Sequence, residues 1–254
     1  MRTRKVVIFD DAASLEEEAA QQVVRAVRNA VARRGECRLA LSGGSTPRGL
    51  YTRLAEEPHR ERVDWSKLHL FWGDERCVPP DHPESNYRMV HEALLARVPL
   101  LDGSVHRIPV ELGPDRAAAR YEEAIRAGSG EAVPRFDVVL LGMGADGHTA
   151  SLFPDTPALS EERRLVVPTV APTPPHDRVS ITLRVINAAR LVAFLVVGPD
   201  KARTLARVLA DEGRTSDGSL PASLVRPRTG RLLWLLDKAA AAHLAMEDRE
   251  IGQE

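Results

Sequence analysis

Residues 136–154 read FDVVLLGMGADGHTASLFP. The first six are almost continuously apolar, the pattern of a strand buried on both faces. The next seven hold three glycines, Gly142, Gly144 and Gly147, around Asp146 and His148. A strand that ends in such a turn belongs to a sheet whose carboxyl edge is open to a ligand, because glycines let a backbone turn sharply and approach a bound group closely. The rest of the chain repeats the first half of this pattern. Short apolar runs at residues 6–9, 38–41, 68–72, 191–197 and 232–236 alternate with segments of helical spacing. After the first run, Ser14 and Glu17 have capping-box spacing, and Ala20, Val24, Val27 and Val31 follow at helical intervals until Gly35. This alternation predicts an α/β fold, with a mainly parallel, Rossmann-like sheet and helices on both faces. The stretches at 168–175 and 213–218 are loop-length, and neither reads as a domain linker. We therefore expect one domain over residues 1–254, with no separate lobe.

Composition narrows the function classes. The 254 residues carry 35 basic and 36 acidic side chains, a formal net charge of −1. No global field attracts nucleic acid or an anionic membrane surface, so neither is an expected partner and any anion site must be local. No segment approaches the roughly 20 apolar residues of a membrane helix, and the N-terminus lacks the core of a signal peptide. Cys37 and Cys77 make no disulfide framework and no paired metal spacing. A reducing cytoplasm suits them.

Four strand-to-helix turns carry chemistry. Ser42, Gly43, Gly44, Ser45 and Thr46 follow one strand and precede a helix with Pro47 in its first turn. Glycine flexibility, hydroxyl donors and a helix N-terminus together suit a phosphate, although a tight turn capped by Thr46 accounts for the same letters. The second turn runs from Asp74, Glu75 and Arg76 to Asn86. Arg76 offers a bidentate fork for phosphate or carboxylate, and the acids can orient a base or accept sugar hydroxyls. Asp81, Pro83 and Glu84 resemble a helix start, which makes His82 a surface residue. A Cys77 nucleophile paired with a histidine is a further reading of this turn.

The third turn is the opening one. His148, of a type with an ordinary pKa of about 6.5, can take and return a proton at neutral pH. It should lie at the edge of a helix begun by residues 149–152, and the glycine-turn amides should face a developing oxyanion. Asp146 either holds His148 or caps the turn. In the fourth turn, Pro199 marks a helix start and places Lys201 in the first turn, where it opposes the helix dipole; a bound anion would remove that conflict, and a lysine that points into solvent accounts for the same letters. Arg178, one arginine before a strand, is a weaker phosphate candidate.

Taken in order, these stretches resemble the 6-phosphogluconolactonase family. The resemblance runs through LALSGGSTPRGLY, FWGDERCVPPDHPESNYRM, FDVVLLGMGADGHTASLFP, RVSITLRVINAARLVAFLVVGPDKA, PASLVRP and LLWLLDKAAA. It implies the fold shared with glucosamine-6-phosphate deaminases and ribose-5-phosphate isomerases, and a cytoplasmic hydrolase of the pentose phosphate pathway that uses no cofactor and no metal. The implied substrate is 6-phospho-D-glucono-1,5-lactone. The family's catalytic histidine falls on His148, and its Asp-Glu-Arg signature on Asp74, Glu75 and Arg76. Asp74 and Asp146 join His148 as catalytic candidates. Ser42, Gly43, Gly44, Ser45, Thr46, Arg76, Asn86, Gly147, Arg178 and Lys201 are the candidates for substrate and phosphate binding, in a protein expected to be a monomer. Deaminases of the same fold resemble the chain in two turns but follow their histidine with a segment that contains a glutamate. HTASLFP has no carboxylate there. A phosphosugar-sensing regulator would need a basic DNA-binding or partner module, and this chain has no room for one.

Overall fold

The computed structural model describes residues 4–211, 218–244 and 250–251. Eight strands form the main sheet: β1 (Arg4–Phe9), β2 (Cys37–Leu41), β3 (Leu68–Trp72), β5 (Val105–His106), β6 (Val138–Leu141), β9 (Leu191–Val196), β10 (Arg231–Asp237) and β11 (Glu250–Ile251). Their order is β11-β1-β10-β9-β6-β2-β3-β5, and every neighbouring pair is parallel. From β2 the chain adds strands outward through β3 to β5, then returns to β6 and adds β9 and β10 in the opposite direction. The reversal lies between β2 and β6. In open α/β sheets ligands bind beyond the carboxyl ends of the strands at this switch point.

The sequence forms these elements for local reasons. Every residue of β6 and β9 is buried, as parallel central strands require. The long helix α1 (Ala12–Arg34) buries a stripe from Leu15 through Val23, Val24 and Val27 to Ala30. It stops at Gly35, whose φ of 81° only glycine adopts freely and whose N–H bonds the Val31 carbonyl. The remaining helices are α2 (Ser45–Leu54), α3 (Asn86–Ala93), α4 (Pro114–Arg126), the single turn α5 (Leu183–Ile186) and α6 (Ala202–Ala210). Together they cover both faces of the sheet.

Three expectations about helix starts need correction. The cap of α1 is Asp11, whose carboxylate accepts the Ser14 N–H at 2.8 Å, and not the Ser14–Glu17 box. Helix α3 starts at Asn86 behind the N-cap Ser85, later than Asp81 and Glu84. No helix follows His148: the Thr149 hydroxyl bonds the Gly142 carbonyl, Ala150 takes a φ of 49°, and Thr149 bridges Leu152 in a tight turn.

A second, three-stranded antiparallel sheet was not anticipated. It consists of β4 (Asp74–Arg76), β8 (Asp177–Ile181) and β7 (Val166–Val170), in the order β4-β8-β7. β7 takes in part of the stretch read as a loop at 168–175, and Pro168 is tolerated because β7 is an edge strand. Val166, Val167, Val179 and Ile181 join the same hydrophobic core as the main sheet. The loop read at 213–218 lies outside the described residues except for Gly218. Among the described residues no helix is long and apolar enough to cross a membrane.

Candidate active site

The turn after β2 is fixed from below. The Tyr51 hydroxyl accepts the Ser42 N–H and donates to the Ser42 carbonyl, both at 2.9 Å. Complete burial pushes the Tyr51 pKa up, so the neutral hydroxyl that can do both persists. Tyr121 clamps Trp72, at the end of β3, in the same manner. Beyond Ser42, a Cβ on Gly43 would sit 1.9 Å from the Asn86 Oδ1, so this glycine is required for space. Gly44, at φ 106°, leads into α2, whose first-turn amides point at the open end of the sheet. Among the described residues the buried Ser42 Oγ has no hydrogen-bond partner.

The turn after β3 divides its three charged residues by strand alternation. Glu75 faces inward, where its carboxylate accepts the N–H groups of Arg76, Asn86 and Tyr87 at 2.7–2.8 Å and the Ser85 hydroxyl at 3.1 Å. Burial pushes its pKa up, while those backbone N–H groups pull the other way. Glu75 thus anchors the start of α3 and does not line the cavity. Asp74 accepts the Ser151 hydroxyl at 2.6 Å, and the Asn86 amide donates to its carbonyl at 2.9 Å. Arg76 lines the cavity, donates from Nη1 to the Glu84 carbonyl at 2.5 Å, and keeps a buried Nε that has no hydrogen-bond partner among the described residues. Arg178, its cross-strand neighbour on β8, donates to the Pro175 carbonyl. Burial, and after it the Arg76 charge, holds the Arg178 guanidinium below the usual arginine range. Cys77 is not among the residues lining the cavity, and burial, with Asp177 and Glu75, pushes its thiol pKa up to about 11, away from the thiolate that a nucleophile needs.

The turn after β6 carries His148, whose Nδ1 lies 2.6 Å from the Asp146 Oδ1. A carboxylate only accepts, so Nδ1 carries the proton and Nε2 is the basic nitrogen. The ring packs at a tilt against Phe153, and its side chain is 33% exposed, against 43% for Asp146. Asp74 makes no contact with the ring among the hydrogen bonds described above. A Cβ on Gly144 would lie 2.2 Å from the His148 Nδ1 and 2.7 Å from the Asp146 Oδ1. Two of the expected glycine-turn oxyanion donors, the Gly144 and Gly147 amides, need correction. The Gly144 N–H bonds the His148 carbonyl and the Gly147 N–H bonds the Gly144 carbonyl, both at 3.0 Å, because the turn closes on itself. From outside, the Thr204 hydroxyl bonds the Ala145 carbonyl at 2.6 Å, and the Ala222 N–H bonds the Gly147 carbonyl at 3.0 Å.

The turn after β9 starts at Gly198, at φ 103°. Its N–H is held by the buried Asp237 at the end of β10, which also accepts the Ala240 N–H. Residues 199–201 form a 3-10 turn leading into α6, and the Lys201 ammonium donates to the Val197 carbonyl and the exposed Asp200.

These turns enclose a cavity of about 220 Å³. It brings together Ser42, Gly43, Gly44, Ser45, Thr46, Asp74, Arg76, Asn86, His148 and Lys201. Asp146, Gly147 and Arg178 stand behind its wall and touch those residues or support their loops. The sequence reading did not place Pro47, Met143, Ala150, Leu195 or Val197 in the wall. Leu195 and Val197 had a legible signal, two residues apart at the carboxyl end of β9 and just past it, whereas Ala150 depends on the tight turn that replaced the expected helix. Among the described residues, no group of three His, Cys, Asp or Glu side chains is placed to hold a metal ion.

Comparison with known proteins adds an independent line. The sequence model of the family described as glucosamine-6-phosphate isomerases/6-phosphogluconolactonase matches residues 10–234. The 6-phosphogluconolactonase of Streptomyces coelicolor is 41% identical over 252 residues, covering 95% of this chain and 95% of that protein. The 6-phosphogluconolactonase of a Nostoc species is 40% identical, covering 96% and 99%. Among solved structures, the 6-phosphogluconolactonase from Trypanosoma brucei superposes with a TM-score of 0.84 at 31% identity, over 96% of this chain and all of that one. A monomeric glucosamine-6-phosphate deaminase shares the fold alone, with a TM-score of 0.76 at 21% identity.

Proposed function

The chain belongs to the glucosamine-6-phosphate isomerase/6-phosphogluconolactonase family, and on that premise we propose that it hydrolyses 6-phospho-D-glucono-1,5-lactone to 6-phosphogluconate in the oxidative pentose phosphate pathway. It is an enzyme, a carboxylic ester hydrolase. The observation that carries the proposed mechanism is the His148–Asp146 pair, at 2.6 Å, on one side of a cavity whose other walls hold Arg76, Lys201 and the start of α2. A proton-transfer group and an anion cradle thus share one small space.

The His148 Nε2 takes a proton from water as the water oxygen attacks C1 of the lactone. Asp146 holds the ring in the required tautomer and stabilises the imidazolium that forms. The tetrahedral intermediate collapses by breaking the bond from C1 to the ring oxygen, which recovers the proton from His148. The new carboxylic acid then ionises and releases one proton to solvent. A lactone is already an activated ester, so the sequence of steps requires no covalent nucleophile. At the other end, the α2 amides, Ser45, Thr46, Arg76 and Lys201 bind the phosphate, with Arg178 reinforcing Arg76 from behind. That remote binding positions C1 against His148. Asp74, held by Ser151 and Asn86, accepts sugar hydroxyls. We take the chain as one working unit, because residues of both sheets line the cavity, and we propose that it works as a cytoplasmic monomer.

The test follows proton release when fresh 6-phosphogluconolactone meets the wild type and His148→Ala, after spontaneous hydrolysis is subtracted. Acceleration by the wild type, with a loss of about 10²–10⁴-fold in the variant, is the expected result. No acceleration by the wild type overturns the reading.

A further inference from the structure

The catalytic turn is held by few contacts from the rest of the molecule, and one of them comes from the helix behind Lys201. The Thr204 hydroxyl donates to the Ala145 carbonyl at 2.6 Å across 59 residues of sequence. A threonine inside a helix ordinarily returns its hydroxyl to a carbonyl three or four residues earlier. Here it reaches outward. The carbonyl it takes belongs to the same peptide unit as the Asp146 N–H, so the bond fixes the plane from which Asp146 departs. Asp146 is 43% exposed, and burial alone does not hold it. Its Oδ1 in turn bonds the His148 Nδ1 and the His148 N–H. Thr204 also lies three residues after Lys201, and so on the same side of the helix start as the cavity-lining lysine. Asp237, by accepting the Gly198 N–H, fixes where that helix begins.

We infer that Thr204 is a positioning residue for the reaction, acting through Asp146 on His148 from the helix that starts directly after Lys201. This rests on the roles given to His148 and Lys201 above.

Thr204→Val removes the hydroxyl and keeps the shape, and Thr204→Ser restores the hydroxyl. In steady-state hydrolysis, Thr204→Val is expected to lose about threefold to tenfold in kcat, the share of one neutral hydrogen bond. Calorimetric affinity for 6-phosphogluconate should stay within about twofold of wild type, and Thr204→Ser should recover most of the kcat. Solvent exchange of the His148 Nδ1 proton, followed by NMR, should quicken in Thr204→Val and return toward wild type in Thr204→Ser. Wild-type kcat and wild-type exchange in Thr204→Val would overturn the inference. So would a kcat loss matched by an equal loss of product affinity, or one that serine does not restore. If the wild type hydrolyses no lactone, the functional reading fails by itself, while the NMR exchange still decides whether Thr204 orders the His148–Asp146 pair.

Discussion

The two edges of the main sheet use the same residue types in opposite ways. At the amino edge, Asp137 at the foot of β6 is buried and draws in Arg34 at 2.7 Å and Arg190 at 3.3 Å as ion pairs, and it accepts the Arg38 N–H. Charge there is matched within the protein. Just beyond the carboxyl edge, in the antiparallel sheet that follows β3, Arg76 of β4 and Arg178 of β8 lie opposite each other and give their hydrogen bonds to carbonyls. Among the described residues neither takes part in an ion pair. Like charges placed directly across a strand pair are destabilising, and an anion between them would relieve that cost. The difference between the edges separates cations neutralised by a buried carboxylate from cations that have no carboxylate ion-pair partner among the described residues.

Four experiments break or sharpen that contrast. The largest effect is expected from Gly144→Ala, whose new Cβ collides with the His148–Asp146 pair. It should cost about 100-fold in kcat, the scale of an ångström of misplacement, with 6-phosphogluconate affinity retained in calorimetry. Next, Arg76→Ala should raise KM by about tenfold to a hundredfold, the worth of a charged hydrogen bond, without lowering the melting temperature, since it also relieves the repulsion on Arg178. Asp137→Ala should show the reverse. Urea unfolding should register a loss of about 2 kcal/mol for a buried charged acceptor whose partners are one-third exposed, with kcat of the folded enzyme unchanged. A rise in KM as large as that of Arg76→Ala would erase the distinction between the edges.

The smallest effect concerns Glu75, whose folded-state pKa is raised by burial. Between the ordinary carboxylate value and that raised value the native state holds more protons than the unfolded state, so stability falls as pH rises through the window. Glu75→Gln should flatten that segment of the pH–stability curve while lowering the whole of it, because an amide cannot accept all the N–H groups gathered there. A curve of unchanged shape would mean that the carboxyl titrates alike in both states.

Much of this was legible because buried parallel strands and their turns are local features. The run at 68–72 matches β3 residue for residue, and four turns chosen from residue types alone meet in one cavity. The antiparallel sheet was not legible: β4 is three polar-rich residues and β7 contains Pro168, so neither shows a strand period. Glu75 was read alongside Asp74 and Arg76, yet the two-residue alternation of a strand already sets it on the other side. The amides of the glycine turn were misjudged for a different reason. Glycines free a loop to approach a ligand and equally free it to bond with itself, and sequence does not choose between the two. His148 and Asp146, by contrast, are neighbours two residues apart, and their pairing needed only the turn to close.

Gly43 and Asn86 come from different turns and share a space that holds only one side chain. Asn86 spends its amide on the Asp74 carbonyl while its oxygen fills the room a Cβ on Gly43 would take. Neither position is therefore free to drift by itself: any larger residue at 43 becomes admissible only after 86 has shortened, and a shortened 86 first releases Asp74. In an alignment of relatives the two columns should change together or stay fixed together, an epistatic lock joining two motifs that lie more than forty residues apart.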